Sequence, residues 1–111
     1  MEILIFYEYL AAILRSARVA VKLTQSELAS RAGVTRRYIQ LLENGKQEAT
    51  LSTFFTIADA LSLSPVQLLA DLEYALKNGR LPEHIEKNLR PRKPGRPLKS
   101  PEPKAPFAGE N

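Results

Sequence analysis

Between Thr24 and Asn44 the chain carries two helix signals so short and so close together that few arrangements satisfy both. Thr24 offers an N-cap hydroxyl, and Glu27, three residues on, completes a capping box. Leu28, Ala29 and Ala32 form the apolar side of a short helix that Gly33 stops, since glycine takes positive φ at little cost. Thr35 caps a second helix in which Ile39 and Leu42 point inward, and Gly45 ends it. Helices this short are unstable alone. The pair must therefore bury its apolar sides against itself and its neighbours.

Two short helices joined by a tight, glycine-containing turn make a helix-turn-helix unit, and residues 25–44 meet its packing demands one at a time. Leu28, Ala32, Val34, Ile39 and Leu42 are apolar where the pair buries itself, and Ala29 is small where the helices cross closely. Thr35, Arg36, Arg37, Gln40, Leu41 and Asn44 are left pointing outward from the second helix. Around this unit the periodicity is helical, with no useful period-2 alternation. Ile3, Phe6, Leu10, Ile13, Leu14, Ala17 and Val21 mark one apolar face and predict a first helix over about residues 3–22. Thr50 or Ser52 opens a fourth helix with Leu51, Phe54, Phe55, Ile57, Ala58 and Leu61 inside. Ser64-Pro65-Val66-Gln67 opens a fifth, with Ser at the N-cap and Pro at the first helical position. Its apolar residues are Val66, Leu68, Leu69, Leu72 and Leu76, and Gly79 closes it. Pro82 to Leu89 reads as a linker or one more short, weak helix. The fold class is all-α, with five helices.

The chain has 111 residues, room for one small domain and a tail. Residues 1–78 hold eight Lys/Arg and eight Asp/Glu, whereas residues 79–111 hold eight against four, so the formal excess of +4 lies wholly in the second part. Six of the eight prolines fall between Pro91 and Pro106. These shifts predict a domain over 1–78, a transition over 79–90 and a disordered, basic, proline-rich tail over 91–111. There is no Cys, which excludes a disulfide framework and a thiolate zinc site. His84 stands beside Glu83 and Glu86 without a second cluster to complete a metal site, so no metal is expected. No Ser has a supporting His and Asp constellation and no Gly-rich phosphate loop is present, so neither catalysis nor a cofactor is expected. The most apolar run, Ile3 to Leu14, is interrupted by Glu8 and falls short of the ~20 residues a bilayer span needs. With no basic segment before it and no cleavage site after it, it does not read as a signal peptide.

From about Leu10 to Leu76 the chain resembles the Cro/C1-type, phage-repressor-like (XRE) helix-turn-helix family, whose fold is the five-helix lambda-repressor-like DNA-binding domain. The resemblance rests on TQSELA (24–29), AGVTRRYI (32–39), LLENGK (41–46) and ADALSLSPVQLL (58–69) taken together. It departs from the family pattern at three turns. Lys22 stands where the first helix often ends in Gly, Ala49 where Pro often precedes the next N-cap, and Ser62 replaces a frequent Gly before the fifth helix. These departures bear on turn stability and not on the fold. The resemblance implies that the recognition helix, 35–44, enters the major groove N-terminal end first, with Thr35, Arg36, Arg37, Gln40 and Leu41 toward the bases. One guanidinium bonding O6 and N7 of a guanine is worth roughly 1–3 kcal/mol of discrimination, while Gln40 suits adenine and Leu41 a thymine methyl. The resemblance also implies phosphate contacts from Gln25, Asn44 and Lys46, and a structural ion pair between Arg18 and Glu43.

The stretch from Arg90 to Lys99 is similar to an AT-hook, an Arg-Gly-Arg-Pro peptide of narrow minor grooves. Here the core is Pro94-Gly95-Arg96-Pro97, and its first Arg is missing. Arg92, Lys93, Arg96 and Lys99 are the minor-groove candidates. The alternative is a solvated basic linker that adds sequence-independent attraction through counterion release. Tyr38 lies either on the sugar-phosphate backbone or against a neighbouring helix. The apolar run Ile3 to Tyr7 either packs on the fifth helix or makes a dimer contact. One recognition helix buries too little for specificity, so a homodimer on double-stranded DNA is expected.

The function this points to is sequence-specific regulation of transcription, bacterial or phage-type and by default repression, in the cytoplasm at the nucleoid and away from membranes. Polymerase beside a promoter is an open protein partner. Two other readings stand beside it. One is an antitoxin that autoregulates through this domain and holds a toxin with its tail. The other is a protein–protein adaptor that has lost DNA binding, against which the adjacent Arg36 and Arg37 argue.

Overall fold

The structure, a computed structural model, describes residues 2–89. The order is α1 (Ile3–Ala20), α2 (Gln25–Ala32), α3 (Arg36–Glu43), α4 (Leu51–Ala60), α5 (Pro65–Asn78) and α6 (Glu83–Leu89), with no strand among the described residues. Six helices stand where five were expected. The tail candidates Arg92, Lys93, Arg96 and Lys99 lie outside the described residues.

Local chemistry sets the helix boundaries. Thr24, Thr35, Thr50 and Ser64 each accept, on a side-chain oxygen, the backbone N–H three residues on. Thr50, and not Ser52, is therefore the N-cap of α4. The first four helices also stop alike. After α1, Lys22 N–H bonds Val19 and Leu23 N–H bonds Arg18; after α2, Gly33 bonds Ser30 and Val34 bonds Ala29. After α3 the pairs are Gly45 to Leu42 and Lys46 to Leu41, and after α4 Ser62 to Asp59 and Leu63 to Ala58. This is the Schellman arrangement, which places one residue in the left-handed region. It ends α1 at Ala20 rather than at 22. Gly33 and Gly45 take φ of 72° and 71°, while Lys22 and Ser62 are held at 62° and 59°, where a Cβ crowds the following carbonyl. Those are two positions at which the family pattern often has glycine.

The core forms where α1 to α5 meet, around Ile13, Leu14, Leu28, Ile39, Leu42, Ile57 and Leu61. On α4 the buried face is Phe54, Ile57, Ala58 and Leu61, whereas Leu51 and Phe55, expected inside, are 68% and 45% exposed. At about 100° per residue, Leu51 and Phe55 stand on the flank of that face, which spacing along the chain does not resolve. On α5, Leu68, Leu72 and Ala75 go inward, and Val66 and Leu69 stay at the surface. At the start of α1, Ile3, Leu4 and Ile5 are exposed while Phe6 and Tyr9 pack on the core. No single helix among the described residues is long and apolar enough to cross a membrane.

The segment expected as a linker or weak helix is α6, and it is fastened to the core at three points. Ile85 is buried, and Leu81 and Leu89 pack partly against the cluster. Asn88 Nδ2 donates to Oγ of Ser16, a fully buried hydroxyl on α1, at 3.2 Å. His84 Nε2 lies 3.2 Å from Oδ2 of Asp71, a buried carboxylate on α5. Two of the three buried polar side chains thus find partners on α6, which lowers the cost of their burial.

If the left-handed positions carry strain, Lys22→Gly and Ser62→Gly each raise stability by about 0.5–1 kcal/mol, the relief of Cβ crowding exceeding glycine's extra chain entropy. Urea denaturation reads this as a higher midpoint at unchanged slope. A midpoint that stays or falls shows the lysine and serine turns to be unstrained.

Candidate nucleic-acid interface

One carboxylate organises the helix-turn-helix. Glu43 is the last residue of α3, is buried, and takes three N–H donors. Arg18 Nε reaches Oε2 at 2.7 Å, Arg18 Nη2 reaches Oε1 at 2.9 Å, and Gln25 Nε2 reaches Oε1 at 3.1 Å. The remaining arm of the guanidinium, Nη1, donates to the Leu23 carbonyl at 2.8 Å. The Arg18–Glu43 pair expected from the family pattern is present and bidentate, and it extends into a network. Three segments meet there: the end of α1, the loop into α2 with its first residue, and the end of α3. Gln25 as a partner of Glu43 was not foreseen. Its only trace in the sequence is a Gln at the first position of a helix that begins near a buried acid.

The turn between the two helices follows from its sequence. The capping box at α2 is complete, with Glu27 N–H on Thr24 Oγ1 at 3.0 Å and Thr24 N–H on Glu27 Oε1 at 2.8 Å. The Thr24 backbone N–H, and after it the Thr24 side chain, hold the Glu27 carboxyl below the usual carboxylate range. Thr35 Oγ1 accepts from Tyr38 N–H at 3.0 Å, so this side chain caps α3 and keeps its O–H and one lone pair for other partners.

On α3 the buried arc is Ile39, Leu42 and Glu43. At about 100° per residue, Arg37 and Leu41 lie opposite that arc, with Arg36 and Gln40 on the flank toward Glu43. Arg36 and Arg37 are exposed, and Gln40 and Leu41 half-buried. Neither arginine, nor the exposed Lys46, enters an ion pair among the described residues. Asn44 is the C-cap of α3 and is exposed. Tyr38 turns away from this face. Its hydroxyl donates to the Glu48 carbonyl at 3.3 Å, and burial pushes the phenol above its ordinary pKa despite a hydrogen bond with Thr53. Its ring packs partly against the core.

The N-terminus of α2 opens beside this face. The Gln25 and Ser26 N–H groups stand in its first turn, where the helix supplies no acceptor, and the helix dipole favours an anion there. No group of three or more His, Asp or Glu side chains among the described residues is arranged to hold a metal ion.

Removing Arg18 leaves Glu43 buried with one neutral donor. Arg18→Met is expected to destabilise the fold by about 3–5 kcal/mol, and pairing it with Glu43→Leu to recover most of that. Equal denaturation midpoints for the single and double variants would show that the buried charge is not the source of the loss. Glu27 gives a pH signature. Because its folded pKa lies below the ordinary 4.5, its contribution is complete above that value and fades as the pH falls through the lowered one. Glu27→Gln should therefore flatten the stability curve between about pH 5 and pH 3, measured by thermal melts across that range.

Residues 14–68 match the family described as helix-turn-helix. Control protein C.SmaI of Serratia marcescens is 39% identical over 71 residues, 64% of this chain and 82% of that protein. The uncharacterized HTH-type transcriptional regulator y4dL of Sinorhizobium fredii (strain NBRC 101917 / NGR234) is 37% identical over 71 residues, and the match spans only 36% of that relative's length. Among solved structures, the restriction-modification controller protein C.AhdI from Aeromonas hydrophila superposes with a TM-score of 0.54 at 31% identity, covering 56% of this chain and 94% of that one. The chain belongs to the Cro/C1-type helix-turn-helix family.

Proposed function

We propose that this chain is a sequence-specific regulator that represses transcription by occupying a promoter as a homodimer, with α3 reading the major groove. The observation that carries the reading is the outer face of α3. Arg37 and Leu41 lie opposite the buried arc with Arg36 and Gln40 on its flank, and the two guanidiniums enter no ion pair among the described residues. Base discrimination then rests on Arg36, Arg37, Gln40 and Leu41, with the Thr35 hydroxyl at the edge. Phosphate contacts come from Gln25 and the amide end of α2, and from Asn44 and Lys46. The kinship with a restriction-modification controller supports a regulator over an adaptor.

The dimer is supported by apolar side chains left at the surface of neighbouring helices. Leu51, Phe55, Val66 and Leu69 are all exposed on α4 and α5, and Leu51 and Leu69 also line an open groove with Phe6, Leu10 and Leu72. A patch of this kind marks an association surface more often than a solvated one. For the tail, Arg92, Lys93, Arg96 and Lys99 are assigned to flanking DNA, adding affinity through counterion release with a preference for A/T-rich minor grooves.

Selection from a pool of random duplex DNA at about 150 mM salt tests this reading, because contacts weaker than a specific site are screened there. The expected motif has two half-sites about one helical turn apart. Arg36→Ala with Arg37→Ala should lower affinity for it by at least about tenfold and erase the motif. A chain ending at Leu89 should keep the motif but bind less tightly, its salt slope shallower by up to about four units for the five basic residues lost between Arg90 and Lys99. A single half-site would count against the dimer. No enriched motif, with the double variant behaving as the parent, would abandon the regulator for the adaptor.

A further inference from the structure

Gln25 stands at two boundaries at once. It is the first residue of α2, where N–H groups point out of the helix toward any anion at that end. Its carboxamide also reaches sideways to Glu43 Oε1, the oxygen that already takes Arg18 Nη2. A carboxylate accepts and does not donate, so it is the NH2 group of Gln25 that faces Glu43, and this group carries a second N–H. Gln25 itself is half-buried. Arg18 takes one lone pair on each oxygen of Glu43, so the carboxamide is a third donor to a carboxylate that can accept about four, and it ties the start of α2 to the end of α3.

We propose that Gln25 is a positioning residue that couples the grip on the DNA backbone to the angle of the recognition helix. One carboxamide N–H holds Glu43, and so the end of α3, while the other N–H and the backbone amides of Gln25 and Ser26 take a phosphate oxygen. Engaging the phosphate fixes the carboxamide, which draws on Glu43 and sets α3 in its reading orientation. A duplex that lets α3 seat against its bases satisfies both bonds together. One that does not forces a choice between the phosphate and Glu43. The coupling rests on the DNA-binding reading above and adds to it a specificity role for a residue that touches no base.

The consequence separates Gln25 from an ordinary phosphate contact, which weakens binding to every sequence alike. Affinity would be measured for two probes, a duplex carrying the selected motif and a random-sequence duplex of equal length, at several salt concentrations, with thermal melts of each variant. Gln25→Leu is expected to lose about tenfold more affinity for the motif duplex than for the random one, so that the ratio between them falls. Lys46→Ala, exposed and outside the network, should weaken both about equally and leave the ratio unchanged. Gln25→Lys keeps donors toward both groups and should restore most of the ratio. Equal losses on the two duplexes for Gln25→Leu, or a ratio that Gln25→Lys fails to restore, overturns the coupling and leaves a simple contact. Should Gln25→Leu fail to fold, Gln25→Asn carries the comparison: too short for both partners, it loses the ratio if the coupling holds and keeps it otherwise. A parent chain that binds neither duplex overturns the DNA-binding reading, and the coupling with it.

Discussion

The helix-turn-helix of this chain hangs on a carboxylate placed where helix electrostatics least favour it. Glu43 is the last residue of α3, against the negative end of the helix dipole, and it is buried. An acid there is tolerated because a guanidinium from α1 meets it along both oxygens and a carboxamide from α2 adds a third donor. The net gain in stability from such a group is small, since desolvation offsets most of the attraction. What the arrangement supplies is direction. Apolar contacts such as Ile39 against Leu14 and Leu28 tolerate a few degrees of roll, whereas a bidentate pair does not. The network therefore governs the one angle that a reading helix cannot let vary.

The helix stops serve the same end by a different route. Each of the first four helices terminates in a Schellman turn, which reverses the chain abruptly and keeps the connections short. Short connections leave α2 and α3 little freedom to splay, so the network has little left to correct. Gly45 carries this furthest. Its turn lies against the backbone of Tyr7 and Glu8, so the end of α3 meets the first half of α1 as well as Arg18 near its end. With Lys22 and Ser62 in left-handed conformations, the chain accepts some strain at two turns away from α3 and none at the two that bound it.

How much of this was legible follows from the range of the forces involved. Thr24, Thr35 and Ser64 announced their helices because a cap is a bond to a neighbour three residues on. Lys22 and Ser62 stood out only against the family pattern, which often has glycine at those turns. Leu51 and Phe55 misled because an apolar residue on the flank of a helix has the same spacing as one on its face, and only the packed partners decide which it is. The sixth helix was hard to see for a stronger reason. Its Asn88 bonds a serine 72 residues earlier, and its His84 an aspartate on another helix, so nothing in its own seven residues states that it will dock. Gln25 was read as a phosphate contact alone, because its second partner lies 18 residues away and is itself buried.

Charge is distributed in a way that suits a reader of sequence. Residues 1–89 hold ten Lys/Arg against ten Asp/Glu, and residues 90–111 hold six against two, so the folded helices are neutral and the surplus of +4 follows them. Sequence-independent attraction to DNA grows with every cation near a phosphate and lifts right and wrong sites alike. A neutral body that concentrates on one helix face two guanidiniums without an ion pair among the described residues lets base contacts make up a larger share of what that body contributes. On the proposed reading, the basic segment raises general affinity and discriminates only toward A/T-rich grooves, while the helices carry the base-specific part. The same separation explains why a coupling inside the body matters. A body that cannot rely on bulk charge gains most from making each phosphate contact depend on whether its reading helix is seated.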